Sequence, residues 1–416
     1  MRAALRRSCL DPGAEMVSFD TARHYATTVV QPLNRSQDVP LARAAGRVLA
    51  TTIEASHGLP PFDQAAMDGY AVCLSDGNDV PLVLPLAGHT SAGDPPGVLA
   101  PGTAHRIMTG AALPSGADTV VMQEHVTHRG GLVQFGRDIE AGTHIRKAGE
   151  DIAPGTAVLE SGVVVGWPEI ALLAGLGVEM VSVARPLRIA VLATGSELRG
   201  GGKPLQPGAI YDSNGPMLAA LLATPNTHVT SLTVRDDVAA IADALQTQAE
   251  SVDLVITTAG MSVGDEDHVR DAIARAGGRL DFVKVAMKPG KPLAFGKVRN
   301  AHFIGLPGNP QAAAFGALAF VRPMVRALLG QSPAERITAE MGFTCARKPD
   351  RTELLPVRLS VKSGRLVASR AGRDGSHRMT PIVSADAVAI MPSGATPIEA
   401  GACLEVLPFD QPRFGR

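Results

Sequence analysis

RIAVLATGSEL, Arg188 to Leu198, reads as a β-strand running into a glycine-containing loop. The next hundred or so residues repeat the theme. A helix is predicted from about Gly215 to Ala223, with Ser213 as N-cap and Pro216 in the first turn. Strand HVTSLTV and helix Val238 to Ala249 come next, then the apolar strand DLVITT and a helix from His268 to Ala276. A further strand lies near Phe282 to Ala286, and AHFIGL leads into a helix after Pro310. Strands alternating with helices imply a parallel-type sheet covered by helices on both faces. In such sheets ligands bind beyond the carboxyl ends of the strands. The loops Thr194 to Leu198, Ala259 to Asp267 and Pro307 to Pro310 fall there.

Working outward, the pattern changes on both sides of this α/β segment. From Val17 to about Ala55 it is helical (ARHYATTV, LARAAGRVLA), and helical periodicity returns at Pro168 to Leu176. Between them, short β-like runs alternate with Gly/Pro turns. The expected organisation is a discontinuous helical domain (16–55 plus 152–186) carrying an inserted small β domain (56–151). The α/β domain (187–330) comes next, and then a C-terminal β-barrel-like domain (333–416). Residues 1–15 are basic without a long apolar run, so they read as a disordered tail or an upstream-start artefact rather than a secretory signal.

Composition narrows the function. Among 416 residues the formal net charge is −1, which gives no global basic field for nucleic acid. The most apolar helix candidate, Ala312 to Leu329, is interrupted by Arg322, Pro323 and Arg326 and is too short to span a bilayer. Cys9, Cys73, Cys345 and Cys403 lie far apart with no CxxC, as expected of reduced thiols in a cytoplasmic protein.

The chemistry is concentrated in loops: PFDQAAMDGY (61–70), SVGDED (262–267), KPGKP (288–292) and GLPGNP (305–310). Each sets Gly or Pro around an acid, a lysine or exposed backbone amides, which suits phosphate, oxyanion or metal binding. Asp68, Asp151, Glu197, Asp265 and Asp267, the last two flanking Glu266, are hard oxygen donors of the kind Mg²⁺ takes together with ligand phosphate. Asp68 and Asp151 equally suit turn closure by bonding to backbone. Lys288 and Lys291 frame an irregular backbone on which two ammonium groups can converge on one anion. Lys284, four residues earlier, belongs to a strand and could face the same cleft; a solvated side chain is its plainer reading. Gly308 and Asn309 tolerate positive φ, and Gly308 lets a ligand approach the backbone. His268 and His377 lie beside these motifs without a metal-ligand partner at helical spacing.

These loops, in this order, resemble the molybdopterin molybdenumtransferase family, the bacterial counterpart of the E domain of gephyrin. The resemblance runs from about Val17 to Pro408 and is carried by AMDGYA, TG before ALPSGAD, RKAGED, TGSEL, SVGD, KPGKP, GLPGNP and GSH. It implies the final step of molybdenum cofactor synthesis: adenylylated molybdopterin and molybdate react in a metal-dependent step to give cofactor and AMP. It also implies four domains and a homodimer whose active sites draw on both subunits. Molybdopterin adenylyltransferase and apo-molybdoenzymes would be its working partners, with no nucleic acid and no membrane.

Residue by residue, the resemblance implies catalytic roles for Asp68, Thr109, Asp151, Glu197, Asp236 and Lys284, with Asp68, Glu197, Asp265 and Asp267 toward the metal. Asp236 also suits an N-cap for the next helix, and Thr109 a turn. Substrate binding falls to Ser262, Gly264, Lys288, Lys291, Pro307, Gly308, Pro310, Arg351 and Ser376, with molybdate held by the two lysines, Arg351 and Ser376. Three positions depart from the family pattern. Ala65 and Ala312 stand where Ser is usual, and Ala259 stands where Gly is usual. Two other readings remain at this stage: the preceding adenylyl transfer, whose catalyst shares the α/β fold, and a non-catalytic dimeric scaffold.

Overall fold

The computed structural model describes residues 16–74, 82–136, 139–202, 204–259, 268–348, 350–373, 375–394 and 397–409. The chain divides into two units, one made of residues 38–45 and 51–181 and the other of the rest.

The larger unit is built on a six-stranded sheet in the order Thr227–Val234, Leu187–Thr194, Leu254–Thr258, Ala301–Leu306, Pro292–Val298, Gly278–Lys284. The first four strands are parallel. Pro292–Val298 pairs antiparallel with both of its neighbours, so the sheet is mixed. Pro292–Val298 escapes a sequence reading because Pro opens it and Gly296 interrupts it. Gly296 has a steric reason: a Cβ there would lie 2.1 Å from the Arg279 carbonyl oxygen across the ladder.

Helices Asn214–Leu222, Val238–Ala249, His268–Arg275 and Pro310–Gly316 accompany these strands. Two apolar clusters form around the sheet. One joins Ile241, Leu245, Val269, Ile273 and Phe303. The other joins Phe282, Phe295, Ile304, Phe315 and Phe320 with Phe19 and Tyr25. Those last two come from helix Phe19–Thr28, which Ser18 caps by accepting from Thr21 N. Phe19 meets Phe320 edge-on at 5.4 Å. Helix Phe19–Thr28 therefore packs within the α/β unit, whereas helix Trp167–Gly175 belongs to the other unit. LARAAGRVLA is not a helix. Leu41–Arg43 makes one 3₁₀ turn, and Gly46 at φ +75° ends any continuation.

The segment after Pro310 runs as helix Pro310–Gly316, a π-helical turn Ala317–Val321 and helix Arg322–Leu328. Pro323 supplies no backbone N–H, and the wider turn before it absorbs the gap.

Beyond it, five strands close into a barrel. Thr352–Lys362 pairs with Arg365–Arg370, next come Ile337–Met341, Cys403–Pro408 and Ala387–Met391, and the last returns to Thr352–Lys362. Met341, Val357, Leu359, Ala389, Met391 and Val406 fill it. The short strand Met287–Lys288 lies parallel to its first residues, with Met287 opposite Thr352 and Lys288 opposite Glu353.

The smaller unit holds a second six-stranded sheet: Thr119–Met122, Gly69–Val72, Ala104–Ile107, Val83–Thr90, Leu132–Phe135, Val126–Arg129. Tyr70, Leu84, Val121, Val133 and Phe135 form its core. Among the described residues no helix is long and apolar enough to cross a membrane.

Candidate active site

The larger unit carries a cavity of about 840 Å³ at the carboxyl ends of its parallel strands. Its walls are the loops after Leu187–Thr194, Leu254–Thr258 and Ala301–Leu306, the KPGKP loop, and the barrel residues Arg351, Glu353 and Gly375–His377. Glu197, Lys288, Lys291, Pro307, Gly308, Pro310, Arg351 and Ser376 are brought together here.

Each is held by identifiable neighbours. The Pro307–Pro310 loop is pinned by Asn214, whose Nδ2 donates to Gly308 O at 2.7 Å. Asn309 stands at the N-cap of helix Pro310–Gly316 without capping it. Its amide turns instead to Ser376 Oγ, donating at 3.1 Å. Because that oxygen is accepting, the Ser376 hydroxyl proton is left to donate elsewhere. Lys288 Nζ reaches Glu353 Oε1 at 2.7 Å, and Arg351 Nε reaches Asp350 Oδ2 at 3.2 Å. Among the described residues the Lys291 ammonium has no carboxylate partner.

Ala259, at the rim, adopts φ +75°. This is left-handed backbone that costs a Cβ-bearing residue about 1–2 kcal/mol, a physical reason for glycine being usual at this position. Ala312 is buried in the wall at 1% exposure.

Other predicted residues lie elsewhere. Asp236 and Lys284 are in the same unit but do not line the cavity. Asp236 Oδ1 sits 3.3 Å from His268 Nδ1. It is not the N-cap of helix Val238–Ala249; Asp237 is, accepting from Ala240 N at 2.9 Å. Ser213 likewise makes no capping bond, since Asp212 Oδ1 takes the Gly215 N–H at 3.0 Å. Ser262, Gly264, Asp265 and Asp267 lie outside the described residues.

Asp68, Thr109 and Asp151 belong to the smaller unit. Thr109 donates both its backbone N–H and its hydroxyl to Asp68 Oδ1, each at 2.7 Å. Those two bonds, backbone first, with Arg106 nearby, hold the Asp68 carboxyl below the usual carboxylate range. Asp63 ties the RKAGED loop to the same segment. Its carboxylate accepts from Ala148 N at 2.8 Å and Lys147 Nζ at 2.9 Å, and is likewise held low. Among the described residues no hydrogen bond or ion pair joins Asp151 to the Asp68–Thr109 pair. Ala65, buried at 0% exposure, is in this unit too.

Metal fit can be judged from the donors. Among the described residues no three His, Cys, Asp or Glu side chains converge on a metal-sized point. Glu197 folds its carboxylate back over Gly195, where a Cβ would meet Oε2 at 2.7 Å. A divalent ion that keeps its waters and borrows phosphate oxygens needs only one or two such carboxylates. The described donors therefore suit an ion that arrives with a phosphorylated ligand.

Three cavity features carried no sequence signal that was read. Glu353 and Asp212 line it, and Asn214 presents a buried Oδ1 with no hydrogen-bond partner among the described residues. A glutamate at the head of a run such as TELLPVRL looks like the start of any half-buried strand.

Comparison with known proteins adds identity to this geometry. Residues 17–177 match the MoeA N-terminal region (domain I and II), 190–327 a probable molybdopterin binding domain, and 338–409 the MoeA C-terminal region (domain IV). The chain is 37% identical over 391 residues to molybdopterin molybdenumtransferase 2 of Mycobacterium tuberculosis, covering 88% of this chain and 94% of the relative. It is 35% identical over 402 residues to the molybdopterin molybdenumtransferase of Haemophilus influenzae, covering 95% and 99%. The crystal structure of the molybdopterin biosynthesis MoeA protein from Pyrococcus horikoshii superposes with a TM-score of 0.82 at 27% identity, over 95% of this chain and 100% of that one.

Proposed function

The chain belongs to the molybdopterin molybdenumtransferase family, and from that membership we propose that its cleft inserts molybdenum from molybdate into adenylylated molybdopterin, with release of AMP. One observation carries the reading: Lys288, Lys291, Arg351 and Ser376 line a single cavity together with the Pro307–Pro310 loop. Molybdate is a tetrahedral dianion. Two ammonium groups supply point charges for it, the guanidinium a planar fork, and Ser376 the hydroxyl proton that Asn309 leaves available. The cavity, at about 840 Å³, also has room for a pterin nucleotide beside the oxyanion.

Glu197 is the described carboxylate suited to a Mg²⁺ ion carried with the nucleotide. Such an ion polarises a phosphoanhydride and stabilises departing AMP. Ser262, Gly264, Asp265 and Asp267 complete this reading as ligands of the same substrate, and Asp236 and Lys284 as supporting groups. No protein nucleophile is required, because an oxygen of the incoming oxyanion or water can serve at phosphorus.

Asp68, Thr109 and Asp151 are read as catalytic groups that a second copy of the chain contributes, making the working form a homodimer. The cytoplasm is its proposed location, consistent with no disulfide among the described residues. An adenylyltransferase would supply the nucleotide, and an apo-molybdoenzyme would receive the product.

AMP release by purified protein, with cofactor scored by reconstitution of an apo-molybdoenzyme, tests this directly. Release that requires both molybdate and a divalent cation is expected. Turnover of ATP without molybdate would favour adenylyl transfer, and binding without AMP release would favour a scaffold. The shared site has its own test. Asp68→Ala and Lys291→Ala proteins, each inactive, should regain about a quarter of wild-type activity when mixed and allowed to exchange subunits. No recovery, with exchange demonstrated, would put each site within one chain.

A further inference from the structure

Where the KPGKP loop meets the barrel, the cleft wall holds a carboxylate that oxyanion binding does not call for. Glu353 Oε1 is 2.7 Å from Lys288 Nζ. The contact is built into the backbone, since Lys288 and Glu353 are register partners and Thr352 N donates to Ala286 O at 3.0 Å. Behind Glu353 stands Arg347, its side chain 2% exposed, with Nη1 3.9 Å from Glu353 Oε2. The same guanidinium donates to the carbonyls of Arg351 and Met391, each at 3.1 Å, and to that of Pro392. With so many bonds Arg347 is fixed, and Glu353 rests against it. Glu353 is 19% exposed where Lys288 is 61% exposed, so the carboxylate is the anchored member of the pair and the ammonium the free-swinging one.

An oxyanion approaching Lys288 therefore meets a cation that already has a counter-charge. Binding requires the ammonium to leave Glu353, or to share itself between two anions held close together. Either route subtracts roughly the worth of one part-exposed ion pair from the affinity. We infer that Glu353 sets the oxyanion affinity of the cleft: anchored by Arg347, it competes with the tetrahedral dianion for Lys288. Arg347 is then a positioning residue twice over, holding Glu353 from behind and the Arg351 backbone by its carbonyl. The consequence is exchange. Lys291, which has no carboxylate partner among the described residues, offers its charge for capture, while the Lys288–Glu353 pair stands ready to re-form and release an anion that has not reacted. This inference rests on Lys288 being an oxyanion ligand.

Calorimetric titration of molybdate into wild type, Glu353→Gln, Glu353→Asp, Lys288→Gln and the Lys288→Gln/Glu353→Gln double variant tests it, with thermal unfolding followed alongside. Glu353→Gln should bind molybdate about two- to fivefold more tightly, the range for a part-exposed ion pair. Glu353→Asp, which draws the charge back from Lys288, should fall between it and wild type. The gain should vanish in the Lys288→Gln background. A merely structural role for Glu353 would loosen the wall and weaken binding. Unchanged or weaker binding by Glu353→Gln in a folded protein overturns the inference; so does a gain that survives loss of Lys288. If Glu353→Gln does not fold, Glu353→Asp decides alone, and no tightening by it is a negative result. Wild type that binds no molybdate would remove the oxyanion reading itself, and this inference with it.

Discussion

The Lys288–Lys291 cleft and the Asp68–Thr109 pair are both charged sites, but they are held in opposite ways. In the cleft, one cation of the KPGKP loop faces a carboxylate on the barrel: Lys288 sits 2.7 Å from Glu353. In the smaller unit one threonine spends both of its donors on a single oxygen of Asp68, at 2.7 Å each, which holds that carboxyl below the usual carboxylate range. On the proposed reading the first arrangement tempers charge so that an anion can come and go. The second favours the ionised form of the Asp68 carboxyl. Within the cleft the contrast recurs on a smaller scale, between Lys288, paired with Glu353, and Lys291, which has no carboxylate partner among the described residues.

The largest effect should come from breaking that inner contrast. Lys291→Ala removes a charge with no carboxylate partner among the described residues and should lower kcat/KM for molybdate about 100-fold, the scale of losing one preorganised oxyanion donor. Lys288→Ala should cost several-fold less, since its charge is partly spent on Glu353. Equal losses in the two variants would mean that Glu353 does not attenuate Lys288.

Thr109→Val tests the other site. It keeps the backbone donor but removes the hydroxyl, so the Asp68 carboxyl should rise toward its ordinary range. The sign follows from the depressed folded-state pKa. Whatever ionised Asp68 contributes is present above the ordinary carboxylate pKa and is lost as pH falls through the depressed value. In Thr109→Val that loss should begin at higher pH, seen as an upward shift of the acid limb of the pH–activity profile and of the Asp68 carboxyl titration by NMR. An unmoved acid limb would mean that the backbone bond alone sets the acidity.

The smallest effect belongs to Ala259→Gly. Relief of φ +75° at this residue, offset by the extra freedom of glycine in the unfolded chain, should stabilise by about 0.5–1 kcal/mol. Thermal unfolding should shift up by roughly 1–3 °C. A fall in Tm would show that the alanine methyl packs usefully at the rim, and that the cleft tolerates its strain for that reason.

How legible all this was depended on how local each signal is. Helix Val238–Ala249 could be read residue for residue from its steady apolar stripe, although the cap suggested was Asp236 and the residue that caps it is Asp237. LARAAGRVLA misleads, being rich in helix formers, because burial of Ala44, Val48 and Leu49 one by one outweighs propensity. Pro292–Val298 was invisible because Pro and Gly advertise a turn, while the Arg279 backbone across the ladder is what demands the glycine. In the site, Lys288, Lys291 and the Pro307–Pro310 loop were legible from their own composition. Arg351 and Ser376 needed the family resemblance, because the barrel that carries them is remote in sequence. Glu353 and Arg347 were illegible by either route. Only the parallel register of Met287–Lys288 against Thr352–Glu353 sets that acid beside that lysine.

That two-residue ladder makes the recognition surface a joint inheritance of two modules. A chain cut after Gln331 would keep the mixed sheet, both lysines and the proline-flanked loop, yet it would own half a mould: no guanidinium, no serine and no restraining carboxylate. The barrel closes on itself through its own hydrogen bonds, so it could in principle be handed from one gene to another as a cassette. The lysine strand is the stitch that turns such a graft into a working surface. Lengthening the segment between Ala286 and Pro292 by a single residue would drop that stitch while leaving both modules intact.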